Sequence, residues 1–156
     1  MPESTTNAFL LEMLNLFPWS ESCGVYASNE MPASLSCQER FSIICNLSRA
    51  DQPGTHYVSI IRRGDSILYL DPLALYMELN NDITQFINNC NVSEVIKLDK
   101  ALQHPKSWFC GYFTLFFLLH FNPRISIREV EKFDVNNLRS NDCICLNNIA
   151  EYIMQN

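Results

Sequence analysis

A thiol, an imidazole, a carboxylate and a side-chain amide stand in this sequence at places where they could together form and break an acyl bond. The run Gln103-His104-Pro105-Lys106-Ser107-Trp108-Phe109-Cys110-Gly111-Tyr112 passes from a polar loop into a dense apolar stretch. Cys110 thus falls in the first turn of a predicted helix. Unpaired backbone N–H groups there favour negative charge, and so favour a thiolate. Gly111, lacking a side chain, leaves room for a substrate backbone to approach. A purely structural cysteine more often sits mid-helix.

The chain has three histidines. His104 stands beside a proline in a polar loop, and His120 ends a helix, where a cation suits the dipole. Both have a structural explanation. His56, in Gly54-Thr55-His56-Tyr57, follows a turn and opens a strand, so rigid backbone holds it while it stays accessible. Asp71, in Leu68-Tyr69-Leu70-Asp71-Pro72, ends an apolar strand one hairpin away. From there it can reach the imidazole, fix its tautomer and stabilise the imidazolium formed during turnover. Taken singly, each residue also has a plain reading: a surface histidine, or an Asx-type turn before a helix. Taken together, they supply a nucleophile, a base, an orienting acid and an amide donor, each at the end of an element. Trp108, in the loop beside Cys110, is placed to line a substrate cleft.

The elements that must position these residues follow from periodicity and turn chemistry. A helix is predicted over 5–17, with Phe9, Leu10, Met13, Leu14 and Phe17 on one face. The stretch 18–40 reads as mostly irregular. Strands are predicted over 41–47, 57–62 and 66–70, the last two forming a hairpin about Arg63-Gly64-Asp65. That turn accounts for the integrin-type tripeptide it spells. The loop 48–54 has Asp51, Pro53 and Gly54 for its turns. A helix is expected from Leu73 to about Cys90, with Leu75, Leu79, Ile83, Phe86 and Ile87 at helical spacing, then a strand over 92–98. The apolar helix 109–120 is stopped by Pro123. A short helix over 126–132 has a capping box from Ser126 and Glu129, and a last helix covers 141–154. The expected fold is a single α+β domain over 1–156. Its central, mainly antiparallel sheet packs against helices, with the nucleophile at the N-terminus of a buried central helix.

Of the 156 residues, 47% are hydrophobic and 18% charged, an ordinary globular balance, and the net charge is −6. An acidic chain lacks the basic face that DNA or an anionic membrane attracts. The N-terminal stretch carries Glu3 and no basic residue before Arg40, which argues against a signal peptide. The longest charge-free apolar run, 108–121, holds 14 residues, against roughly 20 for a membrane span. Seven cysteines is an odd number, and no spacing makes paired C-x-x-C sets. Neither a metal nor a cofactor is expected, and the thiols read as reduced, in an intracellular reducing compartment. The sequons at Asn46 and Asn91 carry no weight in such a place.

In their order, these motifs resemble the adenovirus endopeptidase (adenain) family and, more distantly, the ubiquitin-like-protein-specific proteases. Gly54-Thr55-His56-Tyr57-Val58 resembles the family's Gly-x-His-Trp strand, and Tyr69-Leu70-Asp71-Pro72-Leu73 its apolar strand ending in an acid and Pro. Gln103, seven residues before Cys110, resembles its oxyanion glutamine. Cys110-Gly111-Tyr112-Phe113 resembles its nucleophile elbow, and Phe41–Asn46 the strand that precedes the histidine loop. Papain-like enzymes place Cys before His; here the order is His, acid, Gln, Cys.

The resemblance implies a cysteine endopeptidase with catalytic His56, Asp71, Gln103 and Cys110, and with Tyr57, Trp108 and Gly111 against the substrate. It further implies a precursor polyprotein as substrate, a viral or mobile-element maturation role in host cytoplasm or nucleus, and packaging in a virion. The alternatives of the same fold are removal of ubiquitin-like modifiers, acetyl transfer, and a degenerate peptide-binding or capsid-associated domain. The last is disfavoured because all four catalytic positions are filled. Tyr57 stands where the family has Trp, and Asp71 where adenain has Glu. The acidic balance argues against the DNA activation of adenain. Cys90 lies near, not at, the position aligned with adenain's disulfide-forming cysteine, so the resemblance leaves an activating peptide open.

Overall fold

The structure, a computed structural model, describes residues 5–53, 55–125 and 132–155. Gly54 and, Lys132 apart, the short helix expected over 126–132 lie outside these residues.

Helix α1 (Asn7–Asn15) is started by Thr6, whose hydroxyl accepts from the Phe9 N–H at 3.1 Å. Such a cap satisfies one of the helix's orphan donors. It is shorter than the predicted 5–17, and it fully buries Leu10 and Leu14. Next comes β1 (Ser22–Ala27), a strand within the stretch read as irregular. Its sequence, SCGVYA, has little alternation. The pairing that creates it is parallel to β2 (Arg40–Asn46), from Ser22↔Phe41 to Ala27↔Asn46. Strands β3 (Tyr57–Arg63) and β4 (Ser66–Leu70) form the expected hairpin. Its turn needs Gly64, which sits at φ +60°, where other residues are strained.

The helix expected from Leu73 begins only at Asn81, as α2 (Asn81–Cys90). Asn80 caps it, accepting from the Ile83 N–H at 3.0 Å, after a 3-10 turn at Met77–Leu79. Ala74 at φ +52° turns the chain away from a helical path, so Leu75 is exposed rather than part of an apolar face. Strand β5 (Glu94–Lys97) is shorter than predicted; α3 (Cys110–His120) and α4 (Leu138–Gln155) complete the fold.

The strands lie in the order β1-β2-β3-β4-β5. The pairs β2–β3 and β3–β4 give the antiparallel centre expected, whereas β1 and β5 add on in parallel at the edges. Alternation along β2 and β3 then makes two cores. Phe41, Ile43, Cys45, Val58 and Ile60 face α2, with its Ile83, Phe86 and Ile87. Ile44, Tyr57 and Ile61 face α1, α3 and α4. Helix α3 is buried from Phe113 to Leu119, which explains why its sequence has no polar stripe. Among the described residues, no helix is long and apolar enough to cross a membrane.

Candidate active site

Antiparallel pairing of β3 and β4 brings the start of one strand beside the end of the other. The last pair is Ser59↔Leu70, so His56, just before β3, and Asp71, just after β4, emerge at the same end of the sheet. His56 Nε2 and Asp71 Oδ1 are 2.6 Å apart, with the residues 8% and 2% exposed. Asp71 Oδ1 also accepts from the Leu73 N–H at 2.8 Å, so the carboxylate makes its Asx turn and holds the imidazole at once.

Helix α3 crosses the sheet along β3, tied to it by the buried Ser59 hydroxyl, which donates to the Thr114 carbonyl at 2.9 Å. That crossing sets Cys110, the first residue of α3, at the same end as His56. Phe109 offers no side-chain cap, so backbone donors of the first turn remain for negative charge at the thiol or at a substrate oxygen. The Cys110 residue is half-buried and lies near enough to the imidazole to raise its pKa. With Nε2 committed to Asp71, Nδ1 is the ring nitrogen left to face it.

Burial by itself would pull the His56 pKa down. Interactions with Asp71 and Cys110, by hydrogen bonding and by charge, outweigh it and raise the value from 6.5 to about 9. The imidazole is therefore protonated at neutral pH, ready to protonate a leaving amine. Between about 6.5 and 9 the folded chain binds a proton that the unfolded chain releases. The stability this group contributes is complete below about 6.5 and is lost as pH rises through about 9. Melting temperature should thus fall further between pH 6 and 9.5 in the wild-type chain than in His56→Gln. Parallel curves would show that no such pairing exists.

Gln103 is 1% exposed, and its Nε2 donates to the Ser107 carbonyl at 3.1 Å. The reverse amide orientation would set two acceptors against each other, so the NH₂ orientation is fixed. Gln103 lines a cleft of about 330 Å³ with His56 and Cys110. Trp108 (65% exposed) and Tyr57 line it too, as does Leu75, the residue expected on a helix face.

Gly111 packs against the N-terminal segment. The space beside it is filled by the chain itself: a Cβ there would lie 2.1 Å from Thr5 Oγ1 and 2.8 Å from Thr5 Cβ. The glycine thus lets the N-terminal segment pack closely beside Cys110's neighbour. Tyr57 secures that segment, its hydroxyl 2.8 Å from Asn7 Oδ1 and 3.3 Å from the Thr5 carbonyl. Thr5 also lines the cleft, and no periodicity in the sequence signals it. Gly111→Ala should cost about 1–3 kcal/mol by overpacking, with most of it recovered in Gly111→Ala/Thr5→Gly. Urea unfolding measures both, and equal loss in the single and double variants would place the strain elsewhere.

All seven cysteines are free of disulfides. Burial pushes the Cys45 thiol up to about 12 and raises Cys23, Cys90 and Cys145 as well. Those four behave as packing residues. Among the described residues, no group of three His, Cys, Asp or Glu could hold a metal.

No protein-family model matches the sequence, and a search of curated proteins finds no match. Solved structures do match. The ASFV pS273R protease superposes with a TM-score of 0.52 at 13% identity, over 90% of this chain and 64% of that one. The chain therefore has the fold of that protease, over somewhat less than two thirds of its length. The likeness to the SUMO protease Ulp1 is looser: a TM-score of 0.39 at 18% identity, over 69% of this chain and 51% of that one.

Proposed function

We propose that this chain is a cysteine endopeptidase in which Cys110 is the nucleophile, His56 the general acid–base, Asp71 the orienting acid and Gln103 an oxyanion donor. The observation that carries the reading is the single imidazole bonded to a buried carboxylate and sharing one cleft with a thiol that raises its pKa and with an oriented amide. The Cys110 thiolate attacks the peptide carbonyl, forming the C–S bond and a tetrahedral oxyanion. The Gln103 NH₂ and the Cys110 backbone N–H face that oxygen. As the C–N bond breaks, the His56 imidazolium passes its proton to the leaving amine. Neutral His56 then takes a proton from water, whose oxygen attacks the thioester. C–S cleavage releases the carboxylic acid and restores the thiolate–imidazolium pair.

The substrate under this reading is a protein, and the role is maturation of viral or mobile-element precursors. Support comes from the motif order that resembles adenain and from the likeness in fold to a protease of ASFV. One domain supplies the whole site. Digestion of a complex peptide library, read by mass spectrometry of new N-termini, tests it. Cuts sharing a motif and absent with Cys110→Ala support the reading, and no cuts beyond the Cys110→Ala control would oppose it.

A further inference from the structure

The loop that carries Gln103 has no secondary structure of its own, yet the oxyanion donor must hold its place to a fraction of an ångström. Four backbone groups around it, from Leu102 to His104, are pinned. The Pro72 carbonyl, next to Asp71, accepts from the N–H groups of Leu102 at 2.9 Å and Gln103 at 3.0 Å. The other two bonds come from the start of α4. Asn141 Nδ2 donates to the Leu102 carbonyl at 3.0 Å, and the His104 N–H donates to Asp142 Oδ1 at 3.2 Å. Asn141 is fully buried and Asp142 is 6% exposed. Asn141 is itself held by the Asp134 backbone, donating to its carbonyl and accepting from its N–H, both at 2.8 Å. Burial of a carboxylate is costly and raises the Asp142 pKa, although the His104 N–H, His104 and Arg139 favour its charge; among the described residues no cation forms an ion pair with it. A neutral buried side chain there would serve packing alone at less expense.

We infer that Asn141 and Asp142 are positioning residues for catalysis: they bracket Gln103 from both sides and hold its amide at the oxyanion position. The catalytic groups would then come from the sheet end and α3, while the accuracy of one of them is set by α4. This rests on the reading of Gln103 as an oxyanion donor.

Two reactions of Cys110 separate positioning from general structure. Iodoacetamide alkylates the thiolate by displacing iodide, with no oxyanion. p-Nitrophenyl acetate acylates it through a tetrahedral oxyanion, forming the C–S bond and expelling p-nitrophenolate. In Asp142→Ala, acylation should slow about tenfold or more, within the ~10²–10³ that one donor supplies, while alkylation stays within about twofold. Asp142→Asn keeps an acceptor for the His104 N–H and should restore acylation. In a Gln103→Ala background, Asp142→Ala should add nothing. If Asp142→Ala does not fold, Asp142→Glu replaces it with the same expectations, since its acceptor is displaced by one methylene.

An equal fall in both rates, an unchanged acylation rate, or full additivity with Gln103→Ala would overturn the positioning role. Full acylation in Gln103→Ala would instead overturn the oxyanion reading beneath it. A wild-type chain alkylated at Cys110 that releases no p-nitrophenolate would overturn both.

Discussion

Cys110→Ala should remove essentially all turnover, a fall of at least about 10⁴-fold, while leaving a folded protein. The reason is chemical. No other group in the cleft should form the acyl intermediate, because the remaining lining residues, His56 and Gln103 apart, are apolar or are hydroxyls with no hydrogen bond to the imidazole. The fold should survive because Cys110 is only half-buried at a helix end, and the His56–Asp71 bond does not depend on it. Burst release of p-nitrophenolate measures the first part and circular dichroism the second. The same pair of results is expected for His56→Ala. Activity within about tenfold of wild type would mean that the thiol is not the nucleophile. Loss of fold would assign Cys110 to the core.

Gln103→Ala should slow acylation by p-nitrophenyl acetate about 10²–10³-fold while leaving iodoacetamide alkylation nearly unchanged. The split follows from the geometry. Gln103 touches neither the imidazole nor the thiol through any hydrogen bond described; its amide is bonded to the Ser107 carbonyl and presented to the cleft. It should therefore affect only the step that develops negative charge on a carbonyl oxygen. A fall in both rates would instead make Gln103 a structural strut of the loop, since its side chain is almost wholly buried.

What could be read from the sequence divides by the range of the interactions. His56 and Asp71 were legible as partners because a two-residue turn at Gly64-Asp65 sets the hairpin register, and that register fixes which ends meet. Cys110 at a helix start was legible because loop and helix are adjacent in the chain. Strand β1 was not: Ser22–Ala27 becomes a strand by pairing with β2, and its own residues alternate weakly. The apolar spacing after Leu73 suggested one long helix, but Ala74 takes a positive φ and Asn80 caps a later start, leaving Leu75 for the cleft. Thr5 over Gly111 and Asn141–Asp142 around Gln103 join residues remote in sequence. Nothing local marks either contact, because the residues involved have ordinary types for the elements they occupy.

An activated Cys110–His56 pair is tested by mass spectrometry after a low dose of iodoacetamide near neutral pH, on the wild-type chain and on His56→Ala. Cys37 and Cys143 are the exposed thiols and so the true competitors; Cys45, Cys90 and Cys145 are buried. An activated pair predicts that Cys110 is alkylated well before Cys37 and Cys143, and that this preference vanishes in His56→Ala. Labelling that follows exposure alone, with Cys37 and Cys143 ahead of Cys110 and no change in the variant, would contradict it.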